Sequence, residues 1–397
     1  MTNQEIIEIS DRTQFSNYAH YPVAFVRGRG ALLWDADGRE YLDLFSGLAV
    51  TNLGHAHPRI TRAIVEQSER LLHCSNVYYN EPAARLSKLL VEHSFAARVF
   101  FSNSGAEANE AAIKLARKHG AEAKGGRYEI LTAFGSFHGR TLATITATAQ
   151  EKFQQGFQPL IPGFRYVPYG DVAAVAAAIR PETVGVLVEP IQGEGGVNVP
   201  PKGYLQGLRK LCDERDLLLI LDEVQVGMGR TGTLFAYEQE EIRPDIMTLA
   251  KALGGGLPIG ATLATEAVAK SFTAGSHGST FGGNPVACAA GIAVMEAFRD
   301  DGILENCRVI GERLRTGLET FRSRFAAIRD VRGRGLILGM EIDRPCRPVV
   351  ARALEHGLVI NCSADRVIRL LPPLILQADQ VDRALVLLEK TLGETLT

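Results

Sequence analysis

Residues 217–223 read Leu-Leu-Leu-Ile-Leu-Asp-Glu, an apolar run that ends in two carboxylates. A run of this length and composition is typical of a strand that is buried on both faces. Ionised carboxyl groups are costly to bury without a partner. At least one of Asp222 and Glu223 is therefore expected at a buried strand end, paired either with an arginine in a structural ion pair or with the protonated ring nitrogen of a ligand.

The same pattern recurs along the chain, each time as a short apolar run that leads into polar residues or glycine and then into helical spacing. The other predicted strands are Arg98–Ser102, Tyr128–Ala133, Val184–Val188 and Ile246–Leu249. Such alternation predicts an α/β fold with a mostly parallel central sheet covered by helices. Ligands of open parallel sheets bind beyond the carboxyl ends of the strands. The polar residues after each strand are therefore expected to converge on one site.

The two ends of the chain follow a different pattern. Residues 21–53 contain glycine turns between alternating apolar positions, which predicts hairpins. A long helical pattern follows Pro285 and leads to Arg332-Gly-Arg-Gly335 between strand-like segments. We predict a large domain at 59–285 and a smaller α+β domain built from both termini, 1–58 and 286–397.

Composition excludes several classes of function. The chain has 43 basic and 45 acidic residues, so it carries no broad field for nucleic acid or an anionic membrane surface. No apolar run approaches the roughly 20 residues of a membrane span. The N-terminus carries Glu5, Glu8 and Asp11 where a signal peptide would be basic and then apolar. A cytoplasmic protein is expected.

Cysteine and histidine spacing gives no metal pattern. The 6 cysteines are widely separated, and reduced structural thiols in a reducing compartment are expected. His55-Ala-His57 lacks further clustered ligands and is interpreted as a turn, so no metal site is predicted.

Glycines are in excess. The chain has 40, against roughly 28 at the usual frequency of about 7%. Many lie where a backbone would approach a ligand closely, as in Gly254-Gly-Gly256. Lys251 is separated from this run by two residues, and a partly desolvated lysine can form a Schiff base with a carbonyl. The alternative for Lys251 is an ordinary solvated side chain.

The segment Ser104-Gly-Ala106 follows another predicted strand and opens a helix. Free N–H groups at a helix start, beside a glycine, form a phosphate site without a lysine. The alternative is an ordinary N-cap by Asn103 or Ser104. A phosphate site, a carboxylate for a ring nitrogen and a Schiff-base lysine together are the parts that a pyridoxal 5′-phosphate site needs.

Seven segments, in this order, resemble the class III pyridoxal phosphate-dependent aminotransferases, and the match runs from Pro22 to Pro373. They are Phe101-Ser-Asn-Ser-Gly-Ala-Glu-Ala-Asn-Glu110, Phe137-His-Gly-Arg-Thr141, Glu189-Pro-Ile-Gln-Gly-Glu-Gly195, Leu221-Asp-Glu-Val-Gln225, Gly229-Arg-Thr-Gly232, Thr248-Leu-Ala-Lys-Ala-Leu-Gly-Gly-Gly256 and Gly278-Ser-Thr-Phe-Gly-Gly-Asn-Pro285. The resemblance implies a fold type I enzyme that works as a homodimer with shared active sites.

The resemblance also implies a role for each cofactor residue. Lys251 would hold the cofactor aldehyde and act as general acid and base, and Asp222 would keep the pyridine nitrogen protonated. Gln225 would contact the ring hydroxyl. The remaining implied cofactor residues are Phe137 and Val224 on the ring faces, His138 in the same segment as Phe137, Ser104, Gly105 and Ala106 at the phosphate, and Thr280 reaching the phosphate of the neighbouring subunit.

Two arginines and a glutamate are implied to bind substrates. Arg140 would hold the carboxylate of an acetylated diamine, and Arg369 the α-carboxylate of glutamate or 2-oxoglutarate, since a guanidinium matches a carboxylate bidentately. Glu194 would pair with Arg369 and swing away, so that one pocket accepts two different substrates.

The motifs are most similar to those of family members that move the terminal amine of N-acetylornithine to 2-oxoglutarate in arginine biosynthesis. Ornithine, succinylornithine, succinyldiaminopimelate and 4-aminobutyrate stay open as amine donors. A binding protein on the same fold would be expected to lack Lys251 or Asp222, and a dinucleotide-dependent oxidoreductase would be expected to carry Gly-x-Gly-x-x-Gly after a first strand.

Overall fold

The chain is described by a computed structural model that covers residues 1–396. Its strands are β1 Phe25–Arg29, β2 Leu32–Asp35, β3 Glu40–Asp43, β4 Arg98–Ser102, β5 Glu129–Ala133, β6 Phe164–Val167, β7 Thr183–Val188, β8 Leu218–Asp222, β9 Ile246–Leu249, β10 Gly260–Ala264, β11 Ile328–Arg334, β12 Ile337–Ile342, β13 Leu358–Val359, β14 Asn361–Ser363 and β15 Val367–Leu370. Within residues 1–396 they form three sheets.

Helices cover the sheets. They are α1 Asn3–Thr13, α2 Pro58–Ser68, α3 Glu81–Glu92, α4 Gly105–Ala123, α5 Leu142–Ala147, α6 Glu151–Gln154, α7 Val172–Ala178, α8 Tyr204–Arg215, α9 Glu266–Ala269, α10 Pro285–Asp300, α11 Ile303–Arg322, α12 Arg347–Glu355 and α13 Ala378–Thr395, with 3-10 helices at Ala236–Glu240 and Lys251–Gly254. None of the helices found between residues 1 and 396 is both long and apolar enough to cross a bilayer.

The central sheet has the order β4-β10-β9-β8-β7-β5-β6. β5 to β9 run parallel to one another, which confirms the predicted mostly parallel sheet. β7 and β8 lie in the middle and every one of their residues is buried, as the apolar runs predict. The five predicted strands all lie in this sheet, so the carboxyl ends that precede the polar motifs meet at one edge.

Two strands of the central sheet, β6 and β10, are not predicted from the sequence. β10 is antiparallel to both β9 and β4. Residues 250–259 are too few for the crossover helix that a parallel return needs, so the chain turns back directly. Because β10 reverses between them, β4 still points in the same direction as β9, and the carboxyl end of β4 reaches the same edge.

The other two sheets come from the ends of the chain. The predicted hairpins form β1, β2 and β3, and β13 joins them from near the C-terminus. β11, β12, β15 and β14 form the third sheet. The helical pattern after Pro285 is split into α10 and α11 at Gly302, which has a positive φ of 65°. Strands from both ends of the chain thus share one sheet, and the division into a large domain at 59–285 and a smaller one from both termini stays a prediction.

Arg230, in the loop after β8, forms hydrogen bonds with residues from both ends of the chain. Its side chain is completely buried, and Nη1 donates to the carbonyl oxygens of Leu336 at 2.8 Å and Pro372 at 2.5 Å. Nη2 donates to Oδ1 of Asn52. The loop after β8 is therefore fastened to both terminal regions by a single guanidinium, which fixes the site at the carboxyl edge relative to the third sheet.

The prediction that all six cysteines are reduced thiols is wrong for one pair. Cys346, directly before α12, is disulfide-bonded to Cys362 in β14. The sequence separation of 16 residues matches no motif, and only the path of the chain through α12 and back into β14 brings the two sulfurs together. The free cysteines among residues 1–396 are Cys74, Cys212, Cys288 and Cys307.

Candidate active site

A cavity of about 440 Å³ opens at the carboxyl edge of the central sheet. Most of the predicted site residues line it: Ser104, Gly105, Ala106, Phe137, His138, Arg140, Glu194, Asp222, Val224, Gln225 and Lys251. Two concavities elsewhere are larger, about 560 Å³ each, but neither is lined by a lysine from the described part of the chain. The convergence of the predicted residues makes the cavity at the sheet edge the candidate active site.

The start of α4 forms one end of the cavity. Ser104 is the N-cap and its hydroxyl accepts from the N–H of Glu107 at 3.1 Å. The N–H groups of Gly105 and Ala106, in the first turn, have no intrahelical acceptor. A Cβ on Gly105 would lie 2.7 Å from Val224 Cγ1, so only glycine lets the helix start pack this closely against the loop after β8. The helix start therefore has both features considered from the sequence: Ser104 as an N-cap, and N–H groups open to a phosphate.

Asp222, the last residue of β8, is 3% exposed and receives three hydrogen bonds. Its Oδ2 accepts from Asn109 Nδ2 at 2.7 Å and lies 2.8 Å from Nδ1 of His138. Oδ1 accepts from the Val224 N–H at 3.0 Å. These bonds fix the orientation of the carboxylate at the cavity wall.

Asn109 is not predicted as a site residue from the sequence, although it lies inside one of the motifs. Its Nδ2 also donates to the carbonyl of His138 at 2.8 Å, and its Oδ1 accepts from the Thr248 hydroxyl at 2.8 Å. Asn109 therefore joins α4, the Phe137-His138 loop and β9 around Asp222. The available signal was its position one helical turn after Gly105 and Ala106, on the face of α4 that meets the sheet.

Glu223 follows Asp222, but its side chain points away from the cavity, toward the 3-10 helix at Ala236–Glu240. Its two oxygens accept from the N–H groups of Ala236 at 2.7 Å and Tyr237 at 2.8 Å. Burial raises the pKa of this carboxyl to about 8, although the two N–H donors oppose the shift. Of the two carboxylates at the end of the apolar run, only Asp222 lines the cavity.

Lys251 lies directly beyond β9, one residue after Ala250. Its φ is +46°, a left-handed conformation that is uncommon for a residue with a side chain and is often found at functional sites. Burial lowers the pKa of its ammonium group, and the negative charge of Glu194 acts in the opposite direction. A desolvated amine with a lowered pKa is what both Schiff-base formation and proton transfer require.

Arg369, which is buried, and Glu194, which is partly exposed, form an ion pair beside the cavity. Arg369 Nη1 donates to Glu194 Oε1 at 2.7 Å and to Gln225 Oε1 at 3.3 Å, and Arg369 is 1% exposed. Burial would raise the pKa of the Glu194 carboxyl, but Arg369 and Lys251 together lower it to about 2. Arg369 itself does not line the cavity, because Glu194 and Gln225 stand between it and the open space.

Glu189 is a second residue that the motif analysis did not single out. It is 6% exposed, lines the cavity, and accepts from the N–H groups of Phe137 at 2.9 Å and Gly193 at 3.2 Å. Burial raises the pKa of its carboxyl to about 7, against an opposing effect of His138. Glu189 thus fixes the backbone of two loops that line the cavity.

Arg140 lies at the mouth of the cavity and is exposed. Its guanidinium carbon lies 5.5 Å from the centre of the Phe137 ring and 4.2 Å from that of Phe153, within the range of a cation–π contact. The guanidinium has no carboxylate partner within residues 1–396 at ion-pair distance. It is therefore available to an anionic ligand.

Thr280 is the one predicted cofactor residue that lies apart from the cavity. It is exposed and borders a small depression formed by residues 73–76 and 282–285. Its neighbour Ser279 accepts a hydrogen bond from Asn103 Nδ2 at 3.2 Å, close to the start of α4.

The cavity fits the group that the motifs predict. The helix start offers open N–H groups for a phosphate, the fixed Asp222 carboxylate is an acceptor for a protonated ring nitrogen, and Lys251 is a desolvated primary amine. His138 Nε2 is buried without a hydrogen-bond partner in the described residues, so the site also holds a polar atom left over for a ligand.

Comparison with known proteins gives concordant results. The model of the family described as aminotransferase class III matches residues 14–392. An acetylornithine aminotransferase from Caldanaerobacter subterraneus is 50% identical over 379 residues, which cover 95% of this chain and 96% of that protein.

Two solved structures are also similar to this chain. The ornithine aminotransferase of Toxoplasma gondii, in a crystal structure described as having partial occupancy of PLP at the active site, superposes with a TM-score of 0.96 at 34% identity, over 99% of this chain and 94% of that one. The acetylornithine aminotransferase of Elizabethkingia anophelis superposes with a TM-score of 0.89 at 34% identity, over 99% and 100% of the two chains.

Proposed function

Because this chain belongs to the class III aminotransferases, which use pyridoxal 5′-phosphate, we propose that it transfers the terminal amine of N-acetylornithine to 2-oxoglutarate. The products are N-acetylglutamate semialdehyde and glutamate, formed in two half-reactions at one site. The observation that carries the proposal is the presence of a half-buried lysine, Lys251, in one cavity with the Asp222 carboxylate and with the Glu194–Arg369 pair beside it.

The chain's own residues account for cofactor binding. The N–H groups of Gly105 and Ala106, with Ser104, hold the phosphate, and Phe137 and Val224 enclose the ring. Asp222 holds the proton of the ring nitrogen, and His138 and Asn109 keep its carboxylate in place. Gln225 forms a hydrogen bond with the ring hydroxyl. When bound, the cofactor supplies the electron sink that makes the substrate carbon acidic.

Lys251 performs the proton transfer. Its Nζ would take the proton from the substrate carbon that bears the amine and would deliver it to C4′ of the cofactor. Burial keeps the pKa of Nζ below its usual range, so that the neutral amine is available as a base. Glu189 supports this step indirectly, because it fixes the loops at Phe137 and Gly193 that close the site.

Two carboxylate-binding modes let one cavity serve both half-reactions. With the Glu194–Arg369 ion pair closed, Arg369 is neutralised, and a substrate that reacts at its terminal amine places its own carboxylate on Arg140. When Glu194 rotates away, Arg369 receives the α-carboxylate of 2-oxoglutarate or glutamate. The low pKa of Glu194 keeps it ionised, so the exchange is between two carboxylates.

A panel of amine donors tests the choice of substrate. The purified enzyme is assayed with 2-oxoglutarate and with N-acetylornithine, ornithine, succinylornithine, succinyldiaminopimelate or 4-aminobutyrate, and the donors are ranked by kcat/KM. N-acetylornithine is expected to rank first. A different donor at the top of the ranking would replace the proposed substrate but keep the aminotransferase, whereas no transfer with any donor would contradict the function itself.

We also propose a cytoplasmic homodimer in which Thr280 contributes to the partner's site. Thr280 is exposed, and beside it lies an apolar surface formed by Leu71, Leu72, Val77, Tyr78, Tyr79 and Phe281. The segment at 71–79 is connected to the segment at 279–282, since Asn76 Nδ2 donates to the carbonyls of Ser279 and Gly282 at 2.8 Å each. An exposed apolar patch of this kind is typical of an interface.

Sedimentation of the protein should give twice the mass of the 43.1 kDa chain. Substitution of Tyr78 and Tyr79 by aspartate is expected to shift the protein toward monomer, because each adds a charge to the apolar surface, and to weaken cofactor retention. A wild-type protein that sediments as a monomer while fully active would refute the shared site.

A further inference from the structure

Arg369 is held by side chains from three separate segments of the chain. Nη1 contacts Glu194, in the loop after β7, and Gln225, in the loop after β8. Nη2 donates to Oδ1 of Asn361, in β14, at 2.7 Å. Nε is buried without a partner in the described residues. The two guanidinium ends therefore have different environments, one beside a removable carboxylate and one on a neutral amide.

The contact with Asn361 is built into the third sheet. Asn361 and Arg369 lie opposite each other in the antiparallel pairing of β14 with β15. Directly opposed residues of such a pair project on the same face of the sheet. Asn361 therefore moves with the backbone of Arg369, whereas Glu194 and Gln225 belong to other elements.

The same strand also holds the loop that carries Glu194. Ser363, two residues after Asn361 and on the same face of β14, donates from Oγ to the carbonyl oxygens of Glu194 at 2.9 Å and Gly193 at 3.2 Å. Between them, Cys362 projects to the other face and is bonded to Cys346. β14 thus fixes the backbone of Glu194, whereas its carboxylate is held by Arg369 and Gln225 from other elements.

From this arrangement we infer that Asn361 is the positioning residue that keeps Arg369 oriented for an α-carboxylate, and so determines the affinity for the keto acid and its amino acid. The inference rests on the proposed function. Gln225 is engaged by the cofactor in that function, and Glu194 leaves, so the bond from Nη2 to Asn361 is the one that persists. Nη1, which Glu194 then vacates, is the donor that faces the incoming carboxylate.

Asn361 is expected to affect only one of the two half-reactions. The amine donor places its carboxylate on Arg140, which belongs to a different segment of the chain and lines the cavity, and Arg369 stays paired with Glu194 in that state. The keto acid and glutamate need the guanidinium freed from Glu194 and still correctly oriented. A hydrogen bond to a charged group is at stake, which corresponds to about 10- to 100-fold in affinity.

The test compares Asn361→Ala with the wild type in separate half-reactions, followed by rapid mixing at the cofactor absorbance band. The KM values for 2-oxoglutarate and glutamate are expected to rise about 10- to 100-fold, while the KM for the amine donor stays within about threefold. Calorimetric binding of glutarate, which has no reacting group, should weaken by the same factor. Asn361→Asp keeps the acceptor oxygen but adds a negative charge that stays beside Arg369. The KM values for 2-oxoglutarate and glutamate are expected to rise at least as much as in Asn361→Ala.

Two further variants sharpen the comparison. Arg140→Ala should show the reciprocal pattern, with a raised KM for the amine donor only. Asn306→Ala removes an asparagine that bonds the carbonyls of Leu374 and Leu376, and it should lower stability without moving either KM.

The inference would be overturned if Asn361→Ala changed the KM values of both half-reactions equally, or changed neither. If Asn361→Ala does not fold, the Asn361→Asp variant decides by the same criterion. If glutamate does not transfer its amine to the cofactor of the wild-type enzyme, the proposed function itself is contradicted. Failure of the proposed function is therefore distinguishable from failure of the inference about Asn361.

Discussion

Replacing Lys251 by alanine is expected to reduce turnover by about 10⁴-fold or more, the full effect of an absent general acid and base. Lys251 is the only lysine that lines the cavity in residues 1–396, and burial lowers the pKa of its amine. Lys251→Arg is expected to be equally inactive, because arginine keeps the charge but stays protonated. The measurement is the steady-state rate with the preferred donor and 2-oxoglutarate.

A labelling experiment tests the same residue without relying on turnover. Borohydride reduction of the purified enzyme, followed by peptide mass spectrometry, should fix the cofactor on Lys251 and on no other lysine. Lys202→Ala is the matched control, since Lys202 is exposed and lies outside the cavity. It should keep full activity and the label on Lys251. Full turnover in Lys251→Ala would end the hypothesis.

Replacing Asp222 by alanine is expected to lower kcat by about 10²- to 10⁴-fold. Removing one partner of a buried charged pair costs about 3–5 kcal/mol, which corresponds to that range of rates. The protonated ring nitrogen would lose its counter-charge, so cofactor retention and the absorbance spectrum should change together with the rate. Asp222→Asn keeps the shape and removes the charge, and it should resemble the alanine variant in the spectrum.

Glu223→Gln is the matched control for Asp222. It alters a buried carboxylate one residue away, whose oxygens accept from Ala236 and Tyr237 and not from groups at the cavity. The variant is expected to be less stable by about 1–3 kcal/mol, because an amide cannot accept both N–H bonds, and to keep the cofactor spectrum. An Asp222→Asn enzyme with wild-type spectrum and rate would refute the assignment of the ring-nitrogen partner to Asp222.

The comparison of sequence and structure is clearest along the central sheet. β7, β8 and β9 are predictable because their strands are apolar on both faces, and the polar residues after them mark the functional edge. β10 consists largely of small residues, and its direction depends on the short connection from β9. Its place between β9 and β4 is a property of the assembled sheet.

The site shows the same division. Lys251, Asp222 and the start of α4 are recognisable because their chemistry is unusual for their local sequence. Asn361 is not, since an asparagine in a short strand has no local signature, and its role comes from the partner that the fold places beside it. The bond between Cys346 and Cys362 was likewise not predictable, because it depends on the return of the chain after α12.

By itself, the order of apolar runs and polar motifs determined the parallel sheet, the edge that carries the chemistry and the family of the enzyme. These are local properties, since burial on two faces and the special needs of a phosphate or a Schiff base are written into a few neighbouring residues. Only the tertiary structure decided which side chains hold Asp222 in place and that Asn361 and Gln225 share in holding Arg369. Those outcomes depend on contacts between residues far apart in the chain, 144 positions in the case of Gln225 and Arg369.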